Sequence, residues 1–519
     1  MRAYEHRAIG DAATGGALAN VGGESANERF LLTFGDVVAL SGDFFLPDGG
    51  PPGVAPPGGS LFSLGPIPGE AGKRLETRDE ILWALKVMTM DEEVRDPRFE
   101  PGGQFADVRS GRHPERRAVE RLVRDRYLGL AATNDDHFVA PGHSDAATGS
   151  GFRSALAAYR NLHQVALDVA ARLGRRNGDL AQAVAREAAA QHFLTDAFAA
   201  GHLRTPVAEI RRYWKGRYPG FWTQLQRRVS SDTATALREL SRLIRLLPQR
   251  LVYERTLAEL TTRTSQYPDL SFGDLVARCF HDWDNTNGLE VDGGGFVFGD
   301  GRTDEGDTRR LAVTGVRAGL DDVEAAYELG RSRHGLRGEP LYEAVREATG
   351  AGGRAFVAET KVPRPSAANP GQNWQASDAA NLWASPMVGA SGPTVGDALV
   401  AMLEPGEQFI RQLDALGQGL VGSHGPFALP VLGRWLGGKC CQAYHDGFVE
   451  PLARDPQPVL LSLVGDPLPI RPNRHSPPRI PFPQPTIWHR TDRARSPGAC
   501  WQTGGRLTSA RQPFRPPCG

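Results

Sequence analysis

The sequence predicts an all-α fold, consisting of a multi-helix domain over residues 1–350 with one small β-hairpin insertion and a loop-rich C-terminal region. Two observations support it. Most segments between Thr77 and Gly288 carry apolar residues at the spacing of an α-helix. Strand-like alternation is rare, and its clearest case is the Gly-rich segment LEVDGGGFVFGDG. Long runs of helices with few strands are typical of an all-α domain.

Each element follows from a local pattern. Residues 29–46 are apolar and open the domain, and residues 47–72 are rich in Pro and Gly, which predicts a loop. The helical segments that precede the hairpin are ILWALKVM, RAVERLVRDRYLGLAA, GFRSALAAYRNLHQVALDVAARL, LAQAVAREAAAQHFLTDAFAAG, FWTQLQRRV, TALRELSRLIRLL, ERTLAELTTR and GDLVARCFHDWDN. Helices resume after it at RRLAVTGVRAGLDDVEAAYELG and YEAVREATG.

The C-terminal part differs in composition. Residues 351–470 are interpreted as an accessory, partly helical region, because TVGDALVAMLEPGEQFIRQLDALGQGL has helical spacing with a break at Pro405. Residues 471–519 contain ten Pro and nine Arg but a single acidic residue. Such a segment has too little apolar surface to bury, which predicts a disordered Pro/Arg-rich tail.

Composition excludes several classes of protein. Lys+Arg and Asp+Glu are 60 each, so the formal net charge of zero argues against a general nucleic-acid binder. Five Cys without a CxxC pair argue against thiolate zinc sites. No apolar signal region opens the chain and no stretch of 18 apolar residues occurs. The expected location is cytoplasmic as synthesised, with export by a non-classical route left open.

The segment HFLTDAFAAGH carries the strongest chemical signal. His192 and Asp196 are four residues apart, so both project from one face of a helix. Gly201 is expected at the helix C-terminus, where a turn would bring His202 back to the same point. Two imidazoles and one carboxylate that converge are a common zinc arrangement.

Other His-bearing segments extend this motif, namely EHRAIGD, NDDHFVAPGH and FHDWDN. Together with His-x3-Asp-x5-His, their order resembles the zinc-dependent phospholipase C family and its relatives, the single-strand-specific fungal nucleases. The arrangement is most similar to the branch that includes the fungal heterokaryon-incompatibility protein C, over roughly residues 1–300. The resemblance implies a helical zinc phospholipase C-type domain with two or three zinc ions. The implied metal ligands are His6, Asp43, His137, His192, Asp196, His202, His281 and Asn285.

Some of these positions depart from the family pattern. The residue four after His281 is Asn285, where the family has an acidic ligand. For the early acidic ligand Asp43 is the first choice, because a carboxylate among apolar residues needs a partner; Asp36 and Asp125 are the alternatives. Asp43 is also the expected general base. The mature enzymes of the family use an N-terminal amine as a ligand, which is left out of the set expected here.

Three functions are compatible with the motifs. The first is phospholipase C-like hydrolysis of a phospholipid such as phosphatidylcholine, with peripheral membrane contact. The second is a single-strand nuclease or nucleotidase on the same site, which would use an aromatic and basic segment such as residues 211–222. The third is a non-catalytic interaction or toxicity protein with a degraded site, a hypothesis favoured by Asn285. Zero net charge and the apolar, Gly/Pro-rich residues 44–65, which would form a rim for lipid, favour the first function.

Overall fold

A computed structural model describes most of the N-terminal two thirds of the chain. The ranges that it describes are 1–16, 18–21, 30–42, 97–103, 135–139, 154–240, 272–333, 335–369 and 442–450, with shorter pieces at 46–47, 62–63, 82, 84–86, 250, 253–254, 439 and 454. These residues are mostly helical, which confirms the all-α class. None of the helices in these ranges combines the length and apolar character needed to cross a bilayer.

The α-helices are numbered in chain order. They are α1 (Ala3–Thr14), α2 (Phe34–Leu40), α3 (Ala155–Gly174), α4 (Ala181–Asp196), α5 (Ala200–Arg204), α6 (Val207–Arg217), α7 (Phe221–Leu240), α8 (Phe272–Asn287), α9 (Thr308–Ser332), α10 (Glu339–Ala348) and α11 (Val357–Thr360). Short 3-10 turns occur at Pro97–Phe99 and Asp135–His137, and a π-helical turn at His445–Val449.

Three antiparallel strand pairs complete the described elements. The predicted hairpin is confirmed as β5 (Leu289–Val291) and β6 (Gly295–Val297), and its turn uses Gly293 and Gly294 at positive φ. The pairs β1 (Leu18–Val21) with β2 (Phe30–Thr33) and β3 (Leu46–Pro47) with β4 (Phe62–Ser63) were not expected from the sequence. The apolar segment 29–46 therefore contains β2, α2 and β3 in succession.

The chain divides into two compact units. Unit 1 comprises Met1–Glu209 and Phe280–Gln375, and unit 2 comprises Ile210–Cys279 and Ala376–Gly519. Residues 210–279 thus belong to a different unit from the rest of the expected domain 1–350, and residues 351–375 group with unit 1. The predicted tail, residues 471–519, lies outside the described residues.

The core of unit 1 is built from α3, α4 and α9. Helix α3 packs against both α4 and α9, and α4 is buried on every side from Ala185 to its end. Alanines line much of α4, and small side chains permit this close approach of neighbouring helices. Gly319 on α9 also permits close packing against α4, because a Cβ there would lie 2.3 Å from the Gln191 amide nitrogen.

A buried charged triad joins the same three helices. His163 on α3 places Nδ1 2.7 Å from a Glu187 carboxylate oxygen on α4 and Nε2 3.4 Å from an Asp322 oxygen on α9. Burial alone would lower the pKa of His163, but the carboxylates of Glu187 and Asp322 outweigh burial and raise it to about 10. His163 is therefore a paired core histidine, and it links the helix that carries His192 and Asp196 to its neighbours.

In unit 2, Trp214 and Phe221 of the segment 211–222 belong to a small aromatic core, whereas Tyr213 is exposed. Trp214 is fully buried and packs against the rings of Tyr218 and Phe272. Phe221 is also buried and contacts Phe272. Trp214 and Phe221 are thus core residues, which removes them as stacking platforms for bases or as lipid anchors.

Candidate metal centre

The end of α4 supplies the first part of the site. His192 and Asp196 lie one turn apart on α4, with His192 Nε2 3.5 Å from an Asp196 oxygen. The chain then turns at Ala197–Ala199 and starts α5, which places His202 Nδ1 3.1 Å from the other Asp196 oxygen. The three residues of the spacing motif therefore converge as predicted, and Asp196 lies between the two imidazoles.

The expected role of Gly201 was wrong in one respect. Helix α4 ends at Asp196, and Gly201 lies inside the short helix α5. A Cβ at Gly201 would lie 2.5 Å from the main-chain oxygen of His281, closer than real Cβ contacts. The glycine is required because α5 and α8 approach closely there, which brings His202 next to His281.

His6, His192 and Asp196 form the first donor group. Each offers one ligand atom, and the three atoms lie within 4.8 Å of one another. His6 Nε2 is 3.3 Å from Asp196, and the stacked rings of His6 and His192 have centroids 4.2 Å apart. His137, at the end of a 3-10 turn, adds a nitrogen 2.8 Å from Asp196 and 3.3 Å from His192 Nε2. All four side chains are buried.

His202, His281 and Asp300 form the second donor group. Their ligand atoms also lie within 4.8 Å of one another. His202 Nε2 is 3.0 Å from His281 Nε2, and His281 Nε2 is 3.5 Å from an Asp300 oxygen. The side chains of His281 and Asp300 remain 16% and 28% exposed, so this group is the one that solvent reaches.

Asp300 was missed by the sequence reasoning. It follows the β5–β6 hairpin and adopts a positive φ of 41° between Gly299 and Gly301. A non-glycine residue with positive φ is uncommon and is worth inspecting as a functional position. In the sequence the GDG segment indicates only a turn, and an acidic residue in a turn beside a His-bearing helix is the signal that could have identified Asp300.

The Met1 amine lies between the two donor groups. Its nitrogen is 3.0 Å from Asp196, 3.2 Å from His202 Nε2 and 3.3 Å from Asp300. Burial acts to lower the pKa of this amine, but Asp196 and Asp300 raise it to about 11. As an ammonium it balances the two carboxylates, and it can ligate an ion only after losing its proton, which metal binding drives in general.

Asn285 lies beside His281, and both ends of its amide have a hydrogen-bond partner. Its oxygen accepts a hydrogen bond of 2.7 Å from the Gly201 N–H, which fixes the orientation of the amide. Its nitrogen is 3.0 Å from His281 Nε2. That oxygen is the ligating atom of the amide and has a second lone pair, so the role of Asn285 as a ligand stays a prediction. Asp300 provides the acidic group that the i+4 position lacks.

The candidates for the early acidic residue have separate outcomes. Asp43 and Asp125 lie outside the described residues, so the expected ligand and general base Asp43 stays a prediction. The neighbouring Gly42 packs against the His192 ring, since a Cβ there would lie 2.3 Å from that ring. Asp36 is not in the centre, because its carboxylate is paired with Arg98 at 2.9 Å and with Arg7 at 3.2 Å.

Hydrogen bonds to the outer ring nitrogens fix the imidazoles. His192 Nδ1 is 2.9 Å from the Val38 carbonyl oxygen, so Nδ1 carries the hydrogen and Nε2 faces the site. The Thr195 hydroxyl donates to the main chain of α4 and lies 2.7 Å from His6 Nδ1. An outer-shell acceptor that sets the tautomer is the usual partner of a metal-binding histidine.

Protonation states also suit a metal. Burial holds the pKa of His192 well below its usual value, and burial together with the Met1 ammonium lowers the pKa of His202 to about 4. Burial acts to raise the pKa of Asp196, but the Met1 ammonium and His202 outweigh it and hold that pKa well below its ordinary value. Neutral imidazoles around an ionised carboxylate are the forms that bind cations.

Geometry and unpaired atoms test the fit to zinc. Ligand atoms that each lie about 2.0–2.1 Å from one tetrahedral zinc are about 3.4 Å apart. The separations of 3.3 Å from His6 Nε2 to Asp196 Oδ1 and of 3.5 Å from His192 Nε2 to Asp196 Oδ2 are close to this value, although they involve the two different oxygens of the carboxylate. In addition, His6 Nε2, one Asp196 oxygen and His202 Nδ1 are buried without a hydrogen-bond partner. Buried polar atoms normally have partners, so these residues fit a cation.

Glu5 connects the chain start to the loop that carries Asp300. The side chain is 2% exposed. One carboxylate oxygen accepts from the Gly301 N–H at 2.9 Å, the Thr303 N–H at 3.1 Å and the Thr303 hydroxyl at 2.6 Å. The other accepts from the Arg2 N–H at 2.9 Å. Glu5 was not singled out from the sequence, and it holds Asp300 in register with Met1 and His6.

Fold and site together define a mostly helical protein with a buried two-part His/Asp donor centre. No protein-family model matches the chain, nor does any curated protein or solved structure. The family named above is therefore a resemblance in motif order alone.

Proposed function

We propose that this chain is a zinc-dependent phosphodiesterase of the phospholipase C type, with two or three zinc ions in the centre. The observation that carries the proposal is that Asp196 lies within 3.5 Å of nitrogens from four histidines, of which His6, His137 and His192 belong to the first side of the centre and His202 to the second. Asp196 would therefore help to hold zinc in both donor groups, and zinc at such a site would supply charge stabilisation for phosphoryl transfer.

The chain's own residues divide the work. His6, His137, His192 and Asp196 would hold one ion in the buried part, and His202, His281 and Asp300 a second ion at the opening. Zinc, when bound, would supply Lewis acidity toward a phosphoryl oxygen and lower the pKa of water. Burial acts to raise the pKa of Asp300, but the Met1 ammonium and His281 outweigh it and keep that pKa below its ordinary value. Asp300 is thus an anion that can orient a water and accept its hydrogen bond.

His281 is supported for a role at the opening. Its Nδ1 is 2.9 Å from an Asp282 oxygen, which leaves Nε2 directed toward His202 and Asp300. The presence of Asp300 in this group also weakens the non-catalytic alternative, which rested on the neutral Asn285. Asp43 remains the proposed general base.

The proposed substrate is a phospholipid, cleaved between glycerol and phosphate. Zero net charge supports lipid over nucleic acid, because nucleic-acid grooves normally make a domain basic. The burial of Trp214 and Phe221 also removes two of the aromatic side chains that a nuclease would use for stacking.

Two assays on one preparation test this proposal. Zinc-loaded protein should release phosphorylated head group from short-chain phospholipid and leave single-stranded DNA intact. The Asp196→Asn variant should hydrolyse the lipid at least about 100-fold more slowly, because it lacks a carboxylate that would hold the metal. Asp321→Asn, an exposed aspartate on α9, is the matched control. Zinc-dependent cleavage of DNA without cleavage of lipid would reassign the substrate, and activity on neither would contradict the proposal.

A further inference from the structure

The side of the centre that solvent reaches is bordered by the guanidinium of Arg2. Its side chain is exposed, and the guanidinium lies against Gly301, where an added Cβ would be 3.3 Å from Arg2 Cζ. Gly301 directly follows Asp300, the most exposed member of the second donor group. No carboxylate among the described residues pairs with the Arg2 guanidinium, whereas Arg7, Arg98 and Arg204 are each paired.

The position of Arg2 is fixed from two sides. The N–H of Arg2 donates to Glu5, and the preceding Met1 amine contacts Asp196 and Asp300. Gly301 has a φ of 90° and no side chain, so the guanidinium can lie flat on the loop next to the opening. A surface arginine usually samples many conformations, whereas this one is attached to the centre by its own backbone.

The charges around the opening determine what Arg2 would recognise. Ions held by the donor groups would neutralise the scissile phosphate, while Arg2 lies outside both groups at the rim. Arginine binds carboxylate and phosphate groups through paired N–H donors. A second negative group on the same substrate, a few bonds beyond the scissile phosphate, would meet this guanidinium.

We propose that Arg2 is a specificity-determining residue, which binds a second anionic group on the substrate next to the scissile phosphodiester. The inference rests on the proposed phosphodiesterase function and deepens it, because it selects phospholipids whose head group carries its own negative charge. The substrate would then be an anionic phospholipid such as one with a serine head group, instead of one with a choline head group.

The kinetic test compares two lipids that differ in one carboxylate. Short-chain phosphatidylserine and phosphatidylethanolamine carry the same ammonium and phosphate, and only the serine head group has the extra anion. We expect kcat/KM of the wild type to be about tenfold higher for the serine lipid, the scale of one charge-assisted hydrogen bond at a partly exposed site. Arg2→Gln should remove this preference through KM with little change in kcat, and Arg2→Lys should keep part of it.

A matched arginine provides the control. Arg333 is exposed at the C-terminal end of α9, a helix of 25 residues and thus about 38 Å long, whose first residue Thr308 contacts the β5–β6 region. Arg333→Gln should retain the wild-type preference. Equal rates for the two lipids in the wild type, or an equal loss for both lipids in Arg2→Gln, would overturn the proposal.

A binding measurement separates this inference from the phosphodiesterase proposal. Calorimetric titration of zinc-loaded protein should show 2-carboxyethylphosphonate binding about tenfold more tightly than propylphosphonate, and the difference should vanish in Arg2→Gln. That result without hydrolysis of either lipid would contradict the phosphodiesterase function and leave anion recognition by Arg2 intact. Equal affinity for the two phosphonates in the wild type would overturn the role of Arg2 whether or not the lipids are cleaved.

Discussion

Replacement of Glu5 by alanine should weaken the second donor group while sparing the first. The carboxylate accepts four hydrogen bonds, from Arg2 N, Gly301 N, Thr303 N and Thr303 Oγ1, and the last three donors belong to the loop next to Asp300. Alanine leaves these donors without their acceptor. Each buried unsatisfied donor costs about 1–3 kcal/mol, and partial access of water to Arg2 and Gly301 reduces the sum to about 3 kcal/mol.

The assay for Glu5→Ala has two readouts. Chemical denaturation followed by circular dichroism should show a loss of about 3 kcal/mol, as in other losses of a buried hydrogen-bond network. Zinc titration should show one ion bound as tightly as in the wild type and another bound at least about tenfold more weakly, because second-shell contacts of this kind are worth about 10–100-fold in metal affinity. Glu5→Gln keeps one oxygen acceptor, so its stability and its zinc affinity should lie between those of the wild type and those of Glu5→Ala.

The control for this prediction is Glu343→Ala. Glu343 is exposed on α10, so its replacement should change stability by no more than about 0.5 kcal/mol and leave zinc binding unchanged. If Glu5→Ala binds zinc with wild-type stoichiometry and affinity at both sites, Glu5 does not position Asp300 and the reasoning is refuted.

Two further predictions concern packing and pH. The pKa of His163 is raised from 6.5 to about 10 in the folded protein, so its stabilisation is fully present below pH 6.5 and is lost as the pH rises toward 10. The free energy of unfolding should fall over this pH range by at most about 5 kcal/mol. A free energy of unfolding that does not change with pH, or one that falls equally in a His163→Gln variant, would contradict this prediction. Gly201→Ala should separate α5 from the main-chain oxygen of His281, 2.5 Å from the new Cβ, and weaken zinc binding about tenfold or more. Gly216→Ala, on α6 with no atom within 4 Å of the new Cβ, is its control, and equal zinc affinity in both variants would refute the packing argument.

The sequence predicted the parts of the centre that follow from periodicity. His192 and Asp196 meet because residues four apart share a helix face. That regularity is local and survives any tertiary arrangement. The order of His6, His137 and His281 came from a resemblance in motif order, and the structure brings all three into the two donor groups or beside them.

The remainder depended on information that spacing does not contain. Asp300 lies in a turn, where no period predicts the direction of a side chain, and the Met1 amine has no side-chain pattern at all. Asn285 has the right spacing from His281, but its oxygen is directed to the Gly201 N–H by the close approach of α5 and α8. Only tertiary packing decides which atom of a correctly spaced residue faces the site.

The measurement that tests the central claim most directly is the zinc content of purified protein by elemental analysis, with Asp196→Asn measured in parallel. The account predicts more than one zinc ion per chain in the wild type and fewer in the variant, because Asp196 is the carboxylate within 3.5 Å of histidines from both donor groups. A well-folded wild-type protein that contains no zinc, and whose melting temperature does not respond to added zinc, would contradict it.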